Sequence, residues 1–411
     1  MQDYNITTLQ NGIRIVHKQI RNSKIAHCGF ILDIGSRDES PNQQGLAHFW
    51  EHMAFKGTEK RRSFQIINKL DNLGGELNAY TSKEYICFYA SILNDHTEKA
   101  FDLLTDITFN STFPENQIDK ERNVILEEMS IFQDAPEDAI QDDFDQLIFS
   151  GHPLGSNILG TKESVKSFRQ SDFFHFIHHH LCTERLVFSS VSSLPFSKVV
   201  RVAKKYLNDI SNYRAQKSRK TFADYIPKTK LEKKHIMQAH CGIGTIAYNN
   251  LDSKRLPFSL LINTLGGPAM NSRLNLALRE KYGLVYSIDA NYSAFHDIGL
   301  MSIFFGTERK QLYKSVDLVI KELRKLVHKP LGIGQLHKAK EQFIGQMAMA
   351  EENNISLMLM HGKSLLIYNK IESFDDVVKK IRSVSSNELF DIAHEIFNEN
   401  KLSFLYFIPK D

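Results

Sequence analysis

The order of predicted elements in the second half of the chain repeats the order in the first half. In each half, strand patterns lead to a helical pattern that stops at paired glycines, Gly74 and Gly75 in one half, Gly266 and Gly267 in the other. Further strands and two long helical patterns follow in both halves. The matching order of at least five elements favours an internal duplication over two unrelated halves. A chain of 411 residues is also long enough for two hydrophobic cores.

Hydrophobic periodicity predicts the individual elements. In the first half the predicted strands are 13–17, 26–34, a hairpin within 77–93 and 186–188, and the predicted helices are 45–56, 63–73, 95–111, 115–133, 137–149 and 162–180. In the second half the predicted strands are 236–247, 284–292 and 299–306, and the predicted helices are 256–265, 272–281, 309–328 and 333–350. These patterns predict an α+β fold with two homologous domains, each a mainly antiparallel sheet packed with helices.

A polar and basic stretch with little periodicity separates the two halves. We interpret residues 214–234 as a solvated linker between a domain at 1–213 and a domain at 235–411. The formal charge of the whole chain is only +3, from 51 basic and 48 acidic residues. A charge this small gives no support to nucleic acid as a partner.

The hydrophobic content predicts a globular protein without membrane insertion. Hydrophobic residues make up 42% of the chain, yet no apolar run approaches the ~20 residues of a transmembrane helix. The first twelve residues show no signal or transit pattern. No CxxC spacing occurs among the four cysteines, which favours a reducing compartment. We therefore expect a cytoplasmic location.

The run His48–His52, HFWEH, offers metal ligands on a predicted helix. His48 and His52 are four residues apart, so their imidazoles project from one face about one turn apart. That spacing suits two nitrogen ligands of one Zn²⁺ at ~2.0–2.1 Å. Glu51 lies beside them, where its carboxylate can act as a base on a zinc-activated water. With 17 histidines in the chain, the motif alone is weak evidence for a metal site.

A third ligand is available on the predicted helix 115–133. Glu121 and Glu128 are seven residues apart, two turns along one stripe of that helix. One of them can bind zinc while the other supports a ligand or a water. Glu127 points about 100° away from Glu128 and is interpreted as solvated. An ordinary acidic helix surface would show the same spacing, so the inference depends on the combination with the two histidines.

This combination resembles the inverted-zincin peptidases of family M16, the group of pitrilysin, insulin-degrading enzyme and mitochondrial processing peptidase. The resemblance begins with His48–Thr58 and Glu121–Glu128. It continues through Leu73–Thr81 and, in the second half, Ser272–Ser287, so that it covers nearly the whole chain. It implies a short, single-chain member with the two-domain α+β metallopeptidase fold of mitochondrial processing peptidase.

The resemblance also implies a role for each candidate in the metal site. It implies that His48, His52 and Glu128 bind one Zn²⁺ per chain and that Glu51 is the general base. Glu121 would be the carboxylate that steadies the site without binding the metal.

Peptide contacts are implied at two further places. Asn78 and Ala79 match the edge strand on which the family binds an extended peptide, main chain to main chain. Arg279 and Tyr286 match an arginine–tyrosine pair that holds the substrate carbonyl and stabilises the oxyanion. Without the resemblance, a capping arginine and a packed tyrosine would be the simpler interpretation of that pair.

The second half is expected to be catalytically inactive. It has no HxxEH motif, and Ala348 takes the place of Glu128 when Glu341 is aligned with Glu121. Short members of the family pair two chains into a clamshell that encloses a chamber. Because this chain has both sets of residues, a homodimer is the simplest assembly. The Arg279 pair would then serve the zinc of its own chain or that of the partner, and both arrangements remain open.

Three functions are compatible with these features. The leading hypothesis is a zinc endopeptidase acting on peptides or small unfolded polypeptides. The alternatives are a non-catalytic structural or assembly subunit of the same fold and a catalytic subunit that needs a separate inactive partner. The complete metal set argues against the first alternative, and the presence of Arg279 and Tyr286 argues against the second.

Three other features of the sequence are interpreted without a chemical role. Adjacent helical residues point about 100° apart, so His178–His180 is interpreted as a polar helix end. The methionines near 347–360 are interpreted as flexible apolar packing. No long glycine-rich loop like that of the processing-peptidase alpha subunit is present, so presequence processing is not specifically supported.

Overall fold

The computed structural model describes residues 4–215 and 218–410. Residues 1–3 of the predicted first domain, Gln216 and Lys217 of the predicted linker, and the terminal Asp411 lie outside the described residues. The described residues form two compact units, each with its own sheet. Unit 1 is drawn from Met1–Met129, Ser156–Lys220 and Met349–Ser373, and unit 2 from Ser130–Gly155, Thr221–Ala348 and Phe374–Asp411.

Strands and helices alternate along the described chain. The strands are β1 (Asn5–Thr8), β2 (Arg14–Gln19), β3 (Ile25–Leu32), β4 (Glu76–Thr81), β5 (Ile86–Leu93), β6 (Leu186–Ser192), β7 (Thr229–Lys234), β8 (Ala239–Ala247), β9 (Val285–Ala294), β10 (Gly299–Thr307) and β11 (Ser403–Pro409). The α-helices are α1 (Leu46–Met53), α2 (Ser63–Asp71), α3 (Thr97–Phe109), α4 (Glu115–Asp134), α5 (Pro136–Ile148), α6 (Lys162–Ser167), α7 (Gln170–His180), α8 (Phe196–Leu207), α9 (Arg255–Gly266), α10 (Leu312–His328), α11 (Ile333–Glu352), α12 (Asn354–Tyr368), α13 (Phe374–Ser383) and α14 (Ser386–Ile396). A π-helix spans Asn275–Glu280.

The two sheets share one strand order. In unit 1 the order is β1-β2-β6-β3-β5-β4, and in unit 2 it is β7-β11-β8-β10-β9. One pair in each sheet is parallel, β2 with β6 and β7 with β11, and the other described pairs are antiparallel. Apart from β1, the orders match strand for strand. The predicted α+β class with two similar sheets is therefore confirmed, and each sheet is mixed rather than purely antiparallel.

Each unit includes one helix from the other half of the sequence. Helix α5 packs on β8 and β11 of unit 2, where the Phe144 ring lies against Gly242 and Gly244. Helix α12 packs on β3 and β6 of unit 1, where Gly362 lies against the Ile31 side chain. In both contacts a glycine faces a large side chain, which lets the helix approach the sheet closely. The compact units therefore do not coincide with the predicted continuous domains 1–213 and 235–411.

The predicted linker 214–234 contains regular structure. Its last six residues, Thr229–Lys234, form β7, so the linker interpretation is wrong there. Strand β7 is the edge strand of its sheet and pairs with β11. It is rich in lysine, as edge strands often are. It therefore lacks the alternation of apolar residues that marks a strand with one buried face. The side chain of Arg219, also within the predicted linker, is only 8% exposed and pairs with Asp38 at 2.7 Å inside unit 1.

Further differences have local causes. The predicted helix 162–180 is two helices, because Phe168 and Arg169 are extended and the Asp172 carboxylate accepts the Arg169 backbone N–H at the start of α7. The predicted helix 272–281 contains the π-helix. Helices α8, α12, α13 and α14 and strand β11 were not predicted. The hairpin predicted within 77–93 is confirmed as β4 and β5.

Aromatic packing fixes α1 against the sheet of unit 1. The Trp50 ring lies 6.0 Å from that of Phe88 on β5, and the Phe101 ring of α3 stacks on Phe188 of β6 at 4.1 Å. These four side chains are fully buried. Helix α1 is consequently held by the core of unit 1 from one side.

Two bulk predictions can be compared with the described residues. No helix within 4–215 and 218–410 is both long and apolar enough to cross a membrane. All four cysteines are buried and unpaired in the described part of the chain. The cytoplasmic location stays a prediction.

Candidate functional site

Helix α1 has an apolar face in the core and a polar face beside it. Phe49 and Trp50 are fully buried, while Glu51 and His52 are half-buried. His48 is only 7% exposed. Because the apolar face is packed, the polar side chains of the HFWEH run are held at the border of the core, where His48 and His52 face Glu128 of α4.

The start of α1 is fixed by a buried carboxylate that was not predicted. Glu39 accepts hydrogen bonds from the backbone N–H groups of Gly45 and Ala47, at 2.9 and 2.8 Å. Gly45 has φ +91° and lies directly against the Leu159 carbonyl, so a Cβ there would clash. Burial raises the pKa of Glu39 well above its ordinary value, although the two N–H donors oppose that effect. Glu39 therefore caps the helix that carries the metal candidates.

His48, His52 and Glu128 converge as the sequence predicted. Glu128 Oε1 lies 3.8 Å from His48 Nε2, and Glu128 Oε2 lies 3.5 Å from His52 Nε2. Ligand atoms from all three residues lie within 4.8 Å of one another. Tetrahedral zinc ligands at roughly 2.0–2.2 Å are about 3.3–3.6 Å apart, so the group fits one zinc ion with little movement.

No second cluster of this kind occurs in the described residues. Groups of three or more His, Cys, Asp or Glu side chains that could share an ion are limited there to the His48 group. The run His178–His180 ends α7 and is not part of such a group. Its position in the last turn of α7 is the one predicted from the sequence.

The protonation state of His48 suits a metal ligand. Burial, and secondarily the neighbouring His52, lower the pKa of His48 to about 3. The ring is therefore neutral at neutral pH, which is the form that binds metal ions. Its Nδ1 is buried without a hydrogen-bond partner among the described residues, while Nε2 faces Glu128.

Glu121 orients His52 from the side opposite Glu128. His52 Nδ1 lies 3.0 Å from Glu121 Oε1, and Lys56 Nζ lies 2.7 Å from Glu121 Oε2. Burial alone would raise the pKa of Glu121, but the hydrogen bonds from His52 and Lys56 outweigh it and lower the pKa. An ionised Glu121 favours a proton on Nδ1 and leaves Nε2 free to face Glu128. Lys56 was not assigned a role from the sequence, although its position four residues after His52 on the same stripe was a usable signal.

Glu51 is positioned by the edge of the sheet. Thr81 of β4 donates a hydrogen bond from Oγ1 to Glu51 Oε2 at 2.6 Å. Burial raises the pKa of Glu51 above its ordinary value, partly offset by that hydrogen bond. A carboxylate with a raised pKa is a stronger proton acceptor. Thr81 lay inside the motif-bearing stretch of the sequence, but its contact with Glu51 depends on tertiary packing.

Asn78 and Ala79 lie on the last strand of their sheet. Strand β4 pairs with β5 on one side, and no described strand pairs with its other side. Asn78 is exposed and Ala79 is half-buried. An edge strand of this kind has backbone N–H and C=O groups free to pair with an added strand.

Arg279 and Tyr286 are neighbours in unit 2. The Arg279 guanidinium carbon lies 5.7 Å from the centre of the Tyr286 ring. Arg279 belongs to the π-helix and Tyr286 to β9, which is the last strand of the order described for that sheet. The Tyr286 side chain is strongly exposed, at 87%. The structure thus brings the two residues together, and their role with a substrate stays a prediction.

Two family models match consecutive parts of the chain. The model described as Insulinase (Peptidase family M16) matches residues 14–162, which contain the whole His48 group. The model described as Peptidase M16 inactive domain matches residues 167–343, which contain Arg279 and Tyr286.

Individual proteins agree with these matches. A Bacillus subtilis protein named Uncharacterized zinc protease YmxG is 32% identical over 96% of this chain and 95% of its own length. The crystal structure of a peptidase M16 inactive domain from Pseudomonas fluorescens has a TM-score of 0.92 at 16% identity, covering 99% of this chain and 98% of that chain. A protease from Helicobacter pylori has a TM-score of 0.90 at 18% identity and covers 99% of both chains. The fold is that of M16 peptidase domains, and the chain belongs to peptidase family M16.

Proposed function

We propose that the chain is a zinc endopeptidase of the HxxEH inverted-zincin type, acting on peptides or small unfolded polypeptides. The observation that carries the proposal is the convergence of His48, His52 and Glu128 beside Glu51. Two imidazole nitrogens and one carboxylate are the donor set of a catalytic zinc site, which keeps a fourth position open for water or substrate. The zinc-protease name of the Bacillus subtilis relative supports the same chemistry.

Zinc, when bound, supplies a Lewis acid for the scissile carbonyl and activates water for attack on it. His48, His52 and Glu128 would hold one ion per chain, and Glu121 would keep His52 in the tautomer that presents Nε2. Lys56 neutralises the outer oxygen of Glu121, so that this carboxylate stays ionised beside the site.

Glu51 would act as the general base and then as the general acid. Its buried carboxylate would take the proton of the attacking water and return it to the amine of the leaving product. The Thr81 hydroxyl holds Oε2, which limits rotation of the carboxylate and leaves Oε1 as the oxygen that moves the proton.

The substrate would bind as an extended strand along β4. Asn78 and Ala79 lie in the middle of that strand, and main-chain pairing gives affinity with little demand on sequence. Arg279 and Tyr286 would hold the carbonyl oxygen and stabilise its negative charge. We further propose a homodimer in which the second half of each chain is inactive by itself but contributes this pair.

The test combines metal content with cleavage. Purified protein is expected to contain about one zinc per chain and to cleave a quenched fluorescent peptide until a chelator is added. Glu51→Gln should retain zinc and lose on the order of 10²–10⁴-fold in kcat. Glu127→Gln is the matched control, because Glu127 is an exposed carboxylate next to Glu128. Absence of zinc, or a Glu51→Gln variant that cleaves as fast as the parent, would refute the proposal and favour a non-catalytic subunit.

A further inference from the structure

A lysine on helix α12 lies beside the edge strand of unit 1. Lys363 Nζ is 5.1 Å from the centre of the Tyr80 ring and 4.8 Å from that of Tyr85. The two rings meet edge to face, with their centres 6.0 Å apart. Lys363 forms no ion pair with a carboxylate in the described part of the chain, so its charge is balanced only by the faces of the two rings.

Alternation along β4 places this cluster on the face away from α1. Thr81 reaches Glu51 of α1, and Ala79 is paired with Phe88, whose ring contacts Trp50 of α1. Tyr80 lies between Thr81 and Ala79 and therefore points to the opposite face. The cluster and the metal group thus flank the same strand on opposite sides of the sheet.

A peptide paired with β4 would present its side chains alternately to these two faces. A residue directly opposite Tyr80 would have its Cβ about 4.5–5.5 Å from the Tyr80 Cβ and would point to the same side. Its side chain would then lie against the Tyr80 ring and within reach of the flexible Lys363 ammonium. All three cluster residues are half-buried, so a charge at this position is partly shielded from water.

We propose that Lys363, Tyr80 and Tyr85 form a substrate subsite that favours an acidic side chain, aspartate or glutamate, at one position of the bound peptide. This inference rests on the proposed strand binding along β4. A substrate carboxylate supplies the anionic partner that Lys363 lacks, and the tyrosine rings pack against its methylene groups.

The other charge on the same face of the strand lies at its far end. Glu76 is four residues before Tyr80, roughly 13 Å away along the strand. That separation exceeds the screening length at physiological ionic strength, so the charge of Glu76 is largely screened at the Tyr80 end of the strand. An acidic residue should therefore be favoured only at the Tyr80 end of the peptide, and a basic residue should be better tolerated at the Glu76 end.

The experiment measures binding and cleavage with one set of peptides. Fluorescent peptides that differ only at one scanned position, occupied by Asp, Asn, Lys or Phe, are titrated against zinc-loaded Glu51→Gln protein and are also offered to the active parent. At the position facing the cluster, Asp should exceed Asn by roughly tenfold in both affinity and kcat/KM. The preference is the ratio of the values for two peptides measured on one protein sample. A variant that is only partly folded therefore gives the same ratio as a fully folded one.

Three substitutions in turn decide the source of the preference. Lys363→Met should abolish the Asp-to-Asn preference, and Lys363→Glu should transfer it to the Lys peptide. Lys370→Glu, which makes the same charge change at an exposed lysine beyond the end of α12, should retain the preference for Asp. A preference that survives Lys363→Met, a stronger preference for Phe, or peptides bound without any charge preference would overturn the subsite. Peptides that bind with the expected preference but are never cleaved would refute the proposed peptidase while supporting the subsite.

Discussion

Corresponding elements in the two halves of the chain carry different side chains. Between β3 and β4 the first half has α1, with His48 and His52 on its polar face. Between β8 and β9 the second half has α9, whose buried residues are apolar, Phe258 and Leu261 among them. A fold that is repeated strand for strand therefore places a candidate metal group in one copy, where a helix beside the sheet edge has a polar face, and a helix with apolar buried residues in the other.

The long helices α4 and α11 show the same contrast. Helix α4 presents Glu121 and Glu128 on one stripe, and Glu121 is buried against His52 and Lys56. Helix α11 keeps Glu341, which pairs with Arg382 only at 3.8 Å, and has Ala348 where α4 has Glu128. The candidate pair of the second half lies elsewhere, with the half-buried Arg279 on the π-helix and the exposed Tyr286 on β9. Irregular turns of this type recur at functional sites because they redirect side chains.

The largest expected effect is loss of the metal from the first half. Glu128→Ala removes a ligand, and zinc content should fall from about one per chain to near zero after dialysis. The rate of peptide cleavage should fall by more than the 10²–10⁴-fold that a general base alone contributes, because the Lewis acid is lost as well. Metal analysis and cleavage of a quenched peptide measure the two effects.

Two further variants make that test specific to the comparison. Glu127→Ala removes a neighbouring exposed carboxylate and should change neither zinc content nor rate. Ala348→Glu restores a carboxylate on α11 but should not create a second zinc site, since α9 provides no histidine. A second equivalent of zinc in this variant would show that the two halves differ by less than we infer.

The second expected effect is a loss of kcat when the proposed contribution of the second half to catalysis is removed. Arg279→Ala should lower kcat on the order of 10²–10³-fold without loss of zinc, because a donor to the developing oxyanion is removed. Arg324→Ala is the control, since Arg324 is an exposed arginine of the same unit that pairs with Glu399. Equal kcat values for the two variants would confine the chemistry to the first half.

Mixed subunits sharpen the same prediction. If the Arg279 pair serves the zinc of the partner chain, a mixture of Glu51→Gln and Arg279→Ala proteins should recover part of the parent activity. If the pair serves its own chain, the mixture should stay as inactive as either variant. Size-exclusion chromatography with light scattering establishes whether the mixed species is the proposed dimer.

The third expected effect is on the carboxylate that orients His52. Glu121→Gln keeps an acceptor for His52 Nδ1 but removes the negative charge shared with Lys56. Zinc affinity should fall about 10–100-fold, as for other residues that support metal ligands from behind. Glu341→Gln is the matched control at the corresponding position of α11 and should leave affinity unchanged. Competition with a chromophoric chelator gives both values, and an equal loss in the two variants would contradict a specific role of Glu121.

The pairing of candidates within each helix was predictable from local spacing, whereas the joining of His48 and His52 with Glu128 into one ligand set was implied by the resemblance to family M16. His48 and His52 lie one turn apart, Glu121 and Glu128 lie two turns apart, and both separations depend only on helical geometry. The packing of α5 in unit 2 and of α12 in unit 1 has no comparable local pattern in the sequence. It depends on the fit of Phe144 over two glycines that are distant in the sequence. Strand β7 was missed because an edge strand can be charged on both faces.

Contacts made to the site by residues outside α1 and α4 were also not predictable from the sequence. Glu39 is the clearest case. It lies six positions before Gly45, beyond the reach of the usual capping spacing, which joins a cap to the N–H two or three residues later. Its burial, with two backbone N–H groups as hydrogen-bond donors to it, distinguishes it from the surface carboxylates of the chain.

The smallest expected effect therefore tests how firmly α1 is held in the first half. In Glu39→Gln one carboxylate oxygen is replaced by an amide NH₂, which cannot accept a hydrogen bond. The backbone N–H of Gly45 or that of Ala47 therefore loses its acceptor. The free energy of unfolding of the zinc-free protein should fall by about 1–3 kcal/mol, because a buried donor loses its partner. Urea denaturation measures it, with the exposed Glu59→Gln as the control of equal charge change. Identical denaturation midpoints for the two variants would show that Glu39 does not stabilise α1. Helix α1 would then be held by its apolar face alone, as α9 is in the second half.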